Sequence, residues 1–269
     1  MGNRVVLVTG GSSGIGKSIG IFLKSKGLTV YGTTRNKAAY PDFDYFELLE
    51  LDVRNPGSIG EAISKLIARE GRLDVLVNNA GIGITGPIEE TPHEEILKAF
   101  DTNFNGPLHM SKAVLPYMRK QNSGLIINIT SIAGYMGLPY RGIYSATKGA
   151  LELVTEALRM ETKDFGVRIA NLAPGDFATN IAAGRYHAPV LADSPYKVPY
   201  GNTLNMMDRH VEHGKDPLLV ARMVFAIINT KNPKVHYRVG EFMQKFSLFL
   251  KKVLPDKVYE KLIMNHYKL

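Results

Sequence analysis

Tyr144 and Lys148 stand four residues apart in "YSATK", a spacing that puts both on one face of a helix. Such a pair can do acid–base chemistry. A free phenol titrates near ~10, too high for a base at neutral pH. A nearby ammonium favours the phenolate, and lowering the pKa by about 3 units takes about 4 kcal/mol of differential stabilisation. Alone, a Y-x-x-x-K pattern is more often two residues on a solvated helix face. Its companions decide its weight. Ser131 follows the apolar run "GLIINIT", and its hydroxyl could hold a substrate oxygen near Tyr144, with Thr130 as the competing hydroxyl. Asn103 lies in "DTNFNG", inside a helical stretch where Asn has poor propensity. There it is either a functional amide or a polar residue closing a kink.

A second group is glycine-rich. Counted from Gly11, "GSSGIGKS" spells G-x-x-x-x-G-K-S, the pattern of a triphosphate-binding loop. Counted from Thr9, "TGGSSGIG" spells T-G-x-x-x-G-x-G, a dinucleotide-binding turn at Gly10, Gly14 and Gly16. Either spacing sets backbone N–H groups and a helix N-terminus against phosphate. A triphosphatase also needs an acid on another buried strand to hold Mg²⁺. Asp52 is the best candidate, but its strand carries Glu47 and Glu50.

The elements that must position these residues alternate. Strand-like runs occur at 4–8, 28–33, 45–51, 73–78, 124–130, 167–173 and 235–239. Helical stretches fall at 14–26, 56–70, roughly 94–119 and roughly 143–164, and another begins at "KDPLLVARMVFAIIN" with Asp216 as its N-cap. Apolar, β-branched strands alternating with helices predict an α/β, doubly wound parallel sheet with helices on both faces. One Rossmann domain over residues 1–240 is expected, with a basic, amphipathic helical extension at 241–269. The segment 176–214 has little periodicity and is expected to be a substrate lid or loop. Tyr186, His187, Tyr196, Tyr200, Met206 and Met207 would give it an adaptable apolar surface.

"TGGSSGIG", "NNAG" at 78–81, Asn103, Ser131, "YSATK" at 144–148 and "PGDFAT" at 174–179 occur in this order. The ordered set resembles the short-chain dehydrogenase/reductase family over about residues 4–240. The resemblance implies a seven-stranded sheet in the order 3-2-1-4-5-6-7 and a nicotinamide dinucleotide cofactor. It implies Asn103, Ser131, Tyr144 and Lys148 as catalytic residues, with Ser131 and Tyr144 touching substrate. Tyr144 would exchange a proton with the substrate oxygen. Lys148 would also bind the nicotinamide ribose, and Asn103 would hold a water that passes protons through the lysine. The cofactor set it implies is Gly10, Ser12, Ser13, Gly14, Ile15, Gly16, Asn79, Ala80, Gly81, Tyr144, Lys148, Pro174, Gly175 and Thr179, with Asp52 and Val53 at the adenine.

The choice of nicotinamide rests on strand two. An NAD enzyme carries Asp or Glu at its end, on the ribose 2′-hydroxyl. Here Thr34 occupies that place, Arg35 follows, and no acid occurs from Leu28 to Lys37. A guanidinium can grip a 2′-phosphate, and Ser13 could add a hydroxyl, so NADP(H) is expected. The bland alternative for Arg35 is an exposed loop arginine.

Composition excludes some functions. There is no cysteine, so thiol catalysis, disulfides and cysteine metal sites are out. No apolar run reaches the ~18 residues of a membrane span, and the N-terminus looks like a first strand rather than a signal peptide. A cytoplasmic enzyme with no metal is expected. The net charge is +8, but residues 231–269 hold nine Lys or Arg against three Asp or Glu. That local basicity argues against a nucleic-acid-binding face. In "EFMQKFSLFLKKVL", Phe242, Met243, Phe246, Phe249, Leu250 and Val253 share a helical face. This helix closes the substrate pocket, contacts a subunit or lies on a membrane. The expected function is an NADP(H)-dependent oxidoreductase acting on a bulky, lipophilic carbonyl or alcohol of steroid-, retinoid- or lipid-like kind. A homodimer or homotetramer is expected, with Phe100, Phe104, Leu108 and Leu115 as an apolar seam. The alternatives are an inactive NADP(H)-sensing protein and a P-loop triphosphatase.

Overall fold

In a computed structural model, residues 4–177, 184–212 and 215–269 are described. Seven parallel strands form one sheet: β1 (Val5–Val8), β2 (Thr29–Thr34), β3 (Glu47–Glu50), β4 (Val75–Asn78), β6 (Gly124–Ile129), β7 (Val167–Pro174) and β9 (His236–Val239). A separate parallel pair joins β5 (Ile84–Thr85) to β8 (Tyr186–His187). The large sheet runs β3-β2-β1-β4-β6-β7-β9. Counting only its seven strands, this is the expected order 3-2-1-4-5-6-7.

The period-two character of a strand shows in how β1 divides its side chains. Val6 and Val8 join Ile19, Leu23, Val220 and Val224 on one face. Val5 and Leu7 join Ile59, Ile63, Met110 and Val114 on the other. So α1 (Gly14–Ser25) and α7 (Leu218–Ile228) cover one side, and α2 (Pro56–Glu70) and α4 (Gly106–Lys120) the other. α2 begins where expected because Asn55 caps it, accepting from Gly57 and Ser58 N–H, with Pro56 in the first turn.

Three expectations shift. The long helix near 94–119 is α3 (His93–Phe100), a π-helical stretch over Asp101–Asn105, and α4. Pro107 has no N–H to give the Asn103 carbonyl, and Gly106 N–H reaches back to Asp101 O, so the ladder widens by one residue. The segment 176–214 is less irregular than its composition suggests, since it holds β8 and α6 (Lys197–Glu212). Pro199 and Gly201 obscure that helix, which tertiary contacts stabilise. Tyr200 is fully buried, and its hydroxyl donates to the Thr85 and Ala188 carbonyls. α7 starts one residue later than expected: Pro217 takes the cap position in place of Asp216, whose carboxylate accepts the Leu218 N–H from just outside the helix.

The C-terminal residues form α8 (Phe242–Val253) and α9 (Asp256–Tyr267). A small cluster anchors them at the end of β7. Leu248 packs with Ile132, Met136 and Ala173, flanked by Tyr259 and Ile263. The helix α5 (Gly142–Glu161) lies against β7 and the turn at Ile132–Tyr135.

Close backbone approach at the glycine turn gives a prediction. A Cβ on Gly16 would lie 2.2 Å from Gly10 O and 2.5 Å from Asn79 Nδ2. Gly16→Ala is therefore expected to cost about 1–3 kcal/mol of stability, measured by denaturant unfolding of the apoprotein.

Candidate active site

The strands end together at their carboxyl edge, and a cleft opens there. The order of the sheet reverses beside β1, where connections leave in opposite directions. After β1 the chain turns through Gly10 and Gly14, at φ of 63° and 52°, which glycine adopts freely. Gly10 N–H is held by Thr33 Oγ1 and Gly11 N–H by Thr33 O. Thr9 Oγ1 accepts the N–H groups of Asn79 and Ala80 at 2.9 and 3.0 Å. Asn79 Nδ2 donates back to Thr9 O at 2.9 Å. The turn after β1 and the loop after β4 are thus one unit.

This unit fits a dinucleotide pyrophosphate. The N-terminus of α1 has no acidic side chain in its first turn and no side-chain cap bond from Ser13. Its leading N–H groups and dipole, from Gly14, Ile15 and Gly16, point to the cleft that Ile15 lines, and Ser12 lies in the loop just before the N-cap Ser13. Lys17, required in a triphosphate-binding loop, points elsewhere. Its Nζ lies 4.0 Å from the Tyr45 ring centroid and 5.6 Å from that of Phe43.

The end expected to take adenosine lies past β2 and β3. Thr34 is buried at the end of β2, and Arg35 is exposed beside it. Asp52 receives two side-chain bonds from Arg54 Nε and a third from Nη2. Those bonds hold its carboxyl below the ordinary range, and the charges of Arg54 and Arg35 add to the effect. Arg35 and Asp52 therefore feel each other across this end. Val53 is buried against Gly106. Thr179 lies outside the described residues.

The other end is built on α5. Tyr144, Lys148 and Glu152 follow at four-residue steps along it. Lys148 is only 5% exposed, and its Nζ donates to Ile129 O at 3.0 Å. Burial pulls its pKa below the ordinary lysine value, opposed by Tyr144 and Glu152. The ammonium lies 6.0 Å from the Tyr144 ring centroid. Ser131 faces the same cleft; its Oγ accepts the Ala133 N–H, which leaves the hydroxyl proton for another acceptor. Thr130 does not compete, because its hydroxyl donates to the Glu152 carboxylate.

Asn103 is wholly buried in the π-helical stretch. Its Oδ1 accepts the Ile82 N–H at 2.8 Å, and its Nδ2 donates to Ile82 O and Thr147 Oγ1. Gly81 sits between it and the lysine: a Cβ there would be 3.1 Å from Asn103 Oδ1 and 3.5 Å from Lys148 Nζ. Pro174 and Gly175 close the cleft at the end of β7.

Three charged residues of the cleft carry no sequence signal: Arg141, Asp176 and Arg185. The Arg141 guanidinium lies 5.5 Å from the Tyr144 ring centroid. It interacts with the Tyr267 hydroxyl at the far end of the chain and feels the Asp176 charge. No local pattern joins residues 141 and 267, so only the fold reveals them. The expected lid surface is different too. Tyr200 and Met207 are buried packing residues, and the Tyr196 hydroxyl donates to Glu89.

Residues 4–189 match the short chain dehydrogenase family. The chain belongs to that family. It is 36% identical over 267 residues to the 3-ketodihydrosphingosine reductase of Bacteroides thetaiotaomicron, covering 99% of this chain and 98% of the relative. It is 31% identical over 284 residues to the NADPH-dependent 3-dehydrocapnine reductase of Ornithobacterium rhinotracheale, covering 98% of each. A solved short-chain dehydrogenase from Streptomyces avermitilis aligns with a TM-score of 0.84 at 30% identity, covering 100% of this chain and 97% of the other. Among short-chain dehydrogenases the sheet order and glycine turn are thus accounted for, and the triphosphatase pattern at Gly11–Ser18 is a coincidence of letters.

Beneath Lys148 this dehydrogenase carries a buried polar network. Glu152 is 5% exposed and accepts from Thr130, from Tyr135 OH at 2.8 Å and from Asn171 Nδ2 at 2.9 Å. His236 Nδ1 lies 2.7 Å from the same carboxylate, and its Nε2 lies 3.0 Å from Glu156. Removing one partner of such a network strands the rest without water. Glu152→Ala is expected to lower unfolding free energy by about 3 kcal/mol, read by chemical denaturation.

Proposed function

We propose that this short-chain dehydrogenase is an NADPH-dependent carbonyl reductase of a bulky, lipophilic ketone, able to run in reverse on the alcohol. The observation that carries the proposal is the meeting of Tyr144, Ser131 and the buried Lys148 in one cleft, next to the glycine turn. The reduced nicotinamide supplies a hydride when bound. The Ser131 hydroxyl donates to the substrate oxygen and sets the carbonyl against Tyr144. Tyr144 gives its phenolic proton to the oxygen as negative charge grows there, which is general acid catalysis. The Lys148 charge, with Arg141 beside the ring, favours the phenolate that remains. Lys148 would also hold the nicotinamide ribose, and Asn103 would hold a water that resupplies the proton. Filled catalytic positions speak against an inactive sensor.

The lipophilic substrate is supported by relatives named for reducing 3-ketodihydrosphingosine and 3-dehydrocapnine. Ile82, Ile84 and Phe177 give the cleft apolar walls. NADPH over NADH is supported by Arg35 after Thr34, by the lack of an acid there, and by the NADPH-dependent relative. A homodimer or homotetramer with an apolar seam at Phe100, Phe104, Leu108 and Leu115 suits the half-burial of those side chains.

Tyr144→Phe is expected to lower NADPH-dependent ketone reduction about 10²–10⁴-fold, while NADPH still binds by fluorescence titration; retention of most of the rate would remove Tyr144 from the mechanism. Arg35→Ser is expected to reduce kcat/KM for NADPH about 10- to 100-fold and to leave that for NADH nearly unchanged. A wild-type enzyme as efficient with NADH would refute the proposed preference.

A further inference from the structure

The apolar face of α8 points away from the protein. Phe242, Phe246, Phe249 and Val253 fall at helical spacing and are 72, 36, 56 and 56% exposed. The three rings form a continuous row. Phe242 and Phe246 stack at 5.7 Å with planes 11° apart, and Phe246 and Phe249 at 5.9 Å with planes 27° apart. Met243 extends the patch at 65% exposure. Water-facing aromatic rows of this kind mark a contact surface.

The opposite face already has its partners, so α8 cannot turn over to hide the rings. Leu248 is buried with Ile132, Met136 and Ala173. Gln244 Nε2 donates to Asp176 Oδ2 at 2.8 Å, and Lys251 Nζ to Tyr135 O at 2.7 Å. Asp176 lines the cleft, so α8 sits on its rim with the ring row outward.

Charge identifies what covers the row. The helix sequence "FMQKFSLFLKKV" contains no acid. Lys245 and Lys252 are exposed and, at 100° per residue, both border the phenylalanine stripe along one edge. Glu241, at the helix start, is spent in a capping box with Gln244. A second copy packed across this face would set lysines against lysines with no carboxylate on the helix to answer them. Anionic lipid headgroups answer them directly, and long lysine stems let the ammonium groups reach phosphate while the rings enter the interface. No helix among the described residues is long and apolar enough to cross a membrane, so attachment is to the surface.

We propose that α8 docks this protein on an anionic bilayer, with Phe242, Phe246, Phe249 and Val253 in the interface and Lys245 and Lys252 on the headgroups. Docking sets the cleft rim beside the bilayer. Its use for admitting a lipophilic ketone rests on the reductase function proposed above; the docking itself does not.

The test is co-sedimentation of the full chain with vesicles of phosphatidylcholine mixed with phosphatidylglycerol, and with phosphatidylcholine alone. The protein is expected to pellet with the mixed vesicles, to be released by high salt, and to bind pure phosphatidylcholine weakly. Lys245→Glu with Lys252→Glu should cut partitioning at least about tenfold. Phe242→Ser with Phe249→Ser should abolish it; these exposed positions leave the fold intact, as circular dichroism would record. Absence of pelleting with mixed vesicles at low salt would overturn the proposal. So would equal binding to both vesicle types, or a lipid-free dimer that the phenylalanine double variant dissociates. None of these readouts depends on turnover, so they stand apart from a failure of the reductase assay.

Discussion

A lysine ammonium held out of water is the constraint on which this structure turns. Lys148 can remain charged there only if a carbonyl and nearby negative charge replace its hydration. Ile129 O supplies the first, and Glu152, one turn along α5, supplies the second. Glu152 is itself buried and must be satisfied. It recruits Thr130 after β6, Asn171 on β7, His236 on β9 and Tyr135 in the turn between β6 and α5. A charge at the cleft floor therefore pins three strands and one helix in fixed relation. The same recruitment removes Thr130 from competition and leaves Ser131 facing the cleft.

The glycine-turn end of the cleft is held by hydrogen bonds among the backbone, Thr9 and Asn79 rather than by charge. Thr9, Asn79 and Ala80 tie the glycine turn to the loop after β4, and Gly16 lies so close to Gly10 that no side chain fits. Rigidity here has a use: N–H groups fixed in direction bind an anion without being reorganised. The two ends meet at Gly81, beside both Asn103 and Lys148. The π-helical stretch turns Asn103 inward to that point, where its amide clamps Ile82 and Thr147.

The C-terminal helices contribute in two directions. Inward, Gln244 on α8 holds Asp176 and Tyr267 on α9 interacts with Arg141, so the last residues of the chain shape the cleft wall. Arg141 brings a permanent positive charge to within 5.5 Å of the Tyr144 ring. Outward, α8 leaves its aromatic row in water. A wall so built joins the chemistry of the cleft to whatever surface the rings contact.

The sequence by itself determined the alternation of strands and helices, because buried parallel strands read as continuous β-branched runs and α2 carries its own cap and proline. It also made the glycine turn and the Tyr144–Lys148 pair legible, since each depends on short spacing along one element, but it left Ser131 and Thr130 as neighbouring hydroxyls that the Glu152 bond to Thr130 tells apart. Tertiary structure alone decided the rest. The irregular composition of 176–214 hid α6, whose order comes from Tyr200 buried against β5 and β8. The widening at Asp101–Asn105 needed Asn103 to find Ile82 and Thr147. Arg141 and Tyr267, and Glu152 and His236, are partners far apart in sequence. The α8 stripe was legible as amphipathic, but periodicity gives only the existence of an apolar face. Which face meets the core is set by what the other side bonds, and here Gln244, Leu248 and Lys251 bond inward and turn the phenylalanines out.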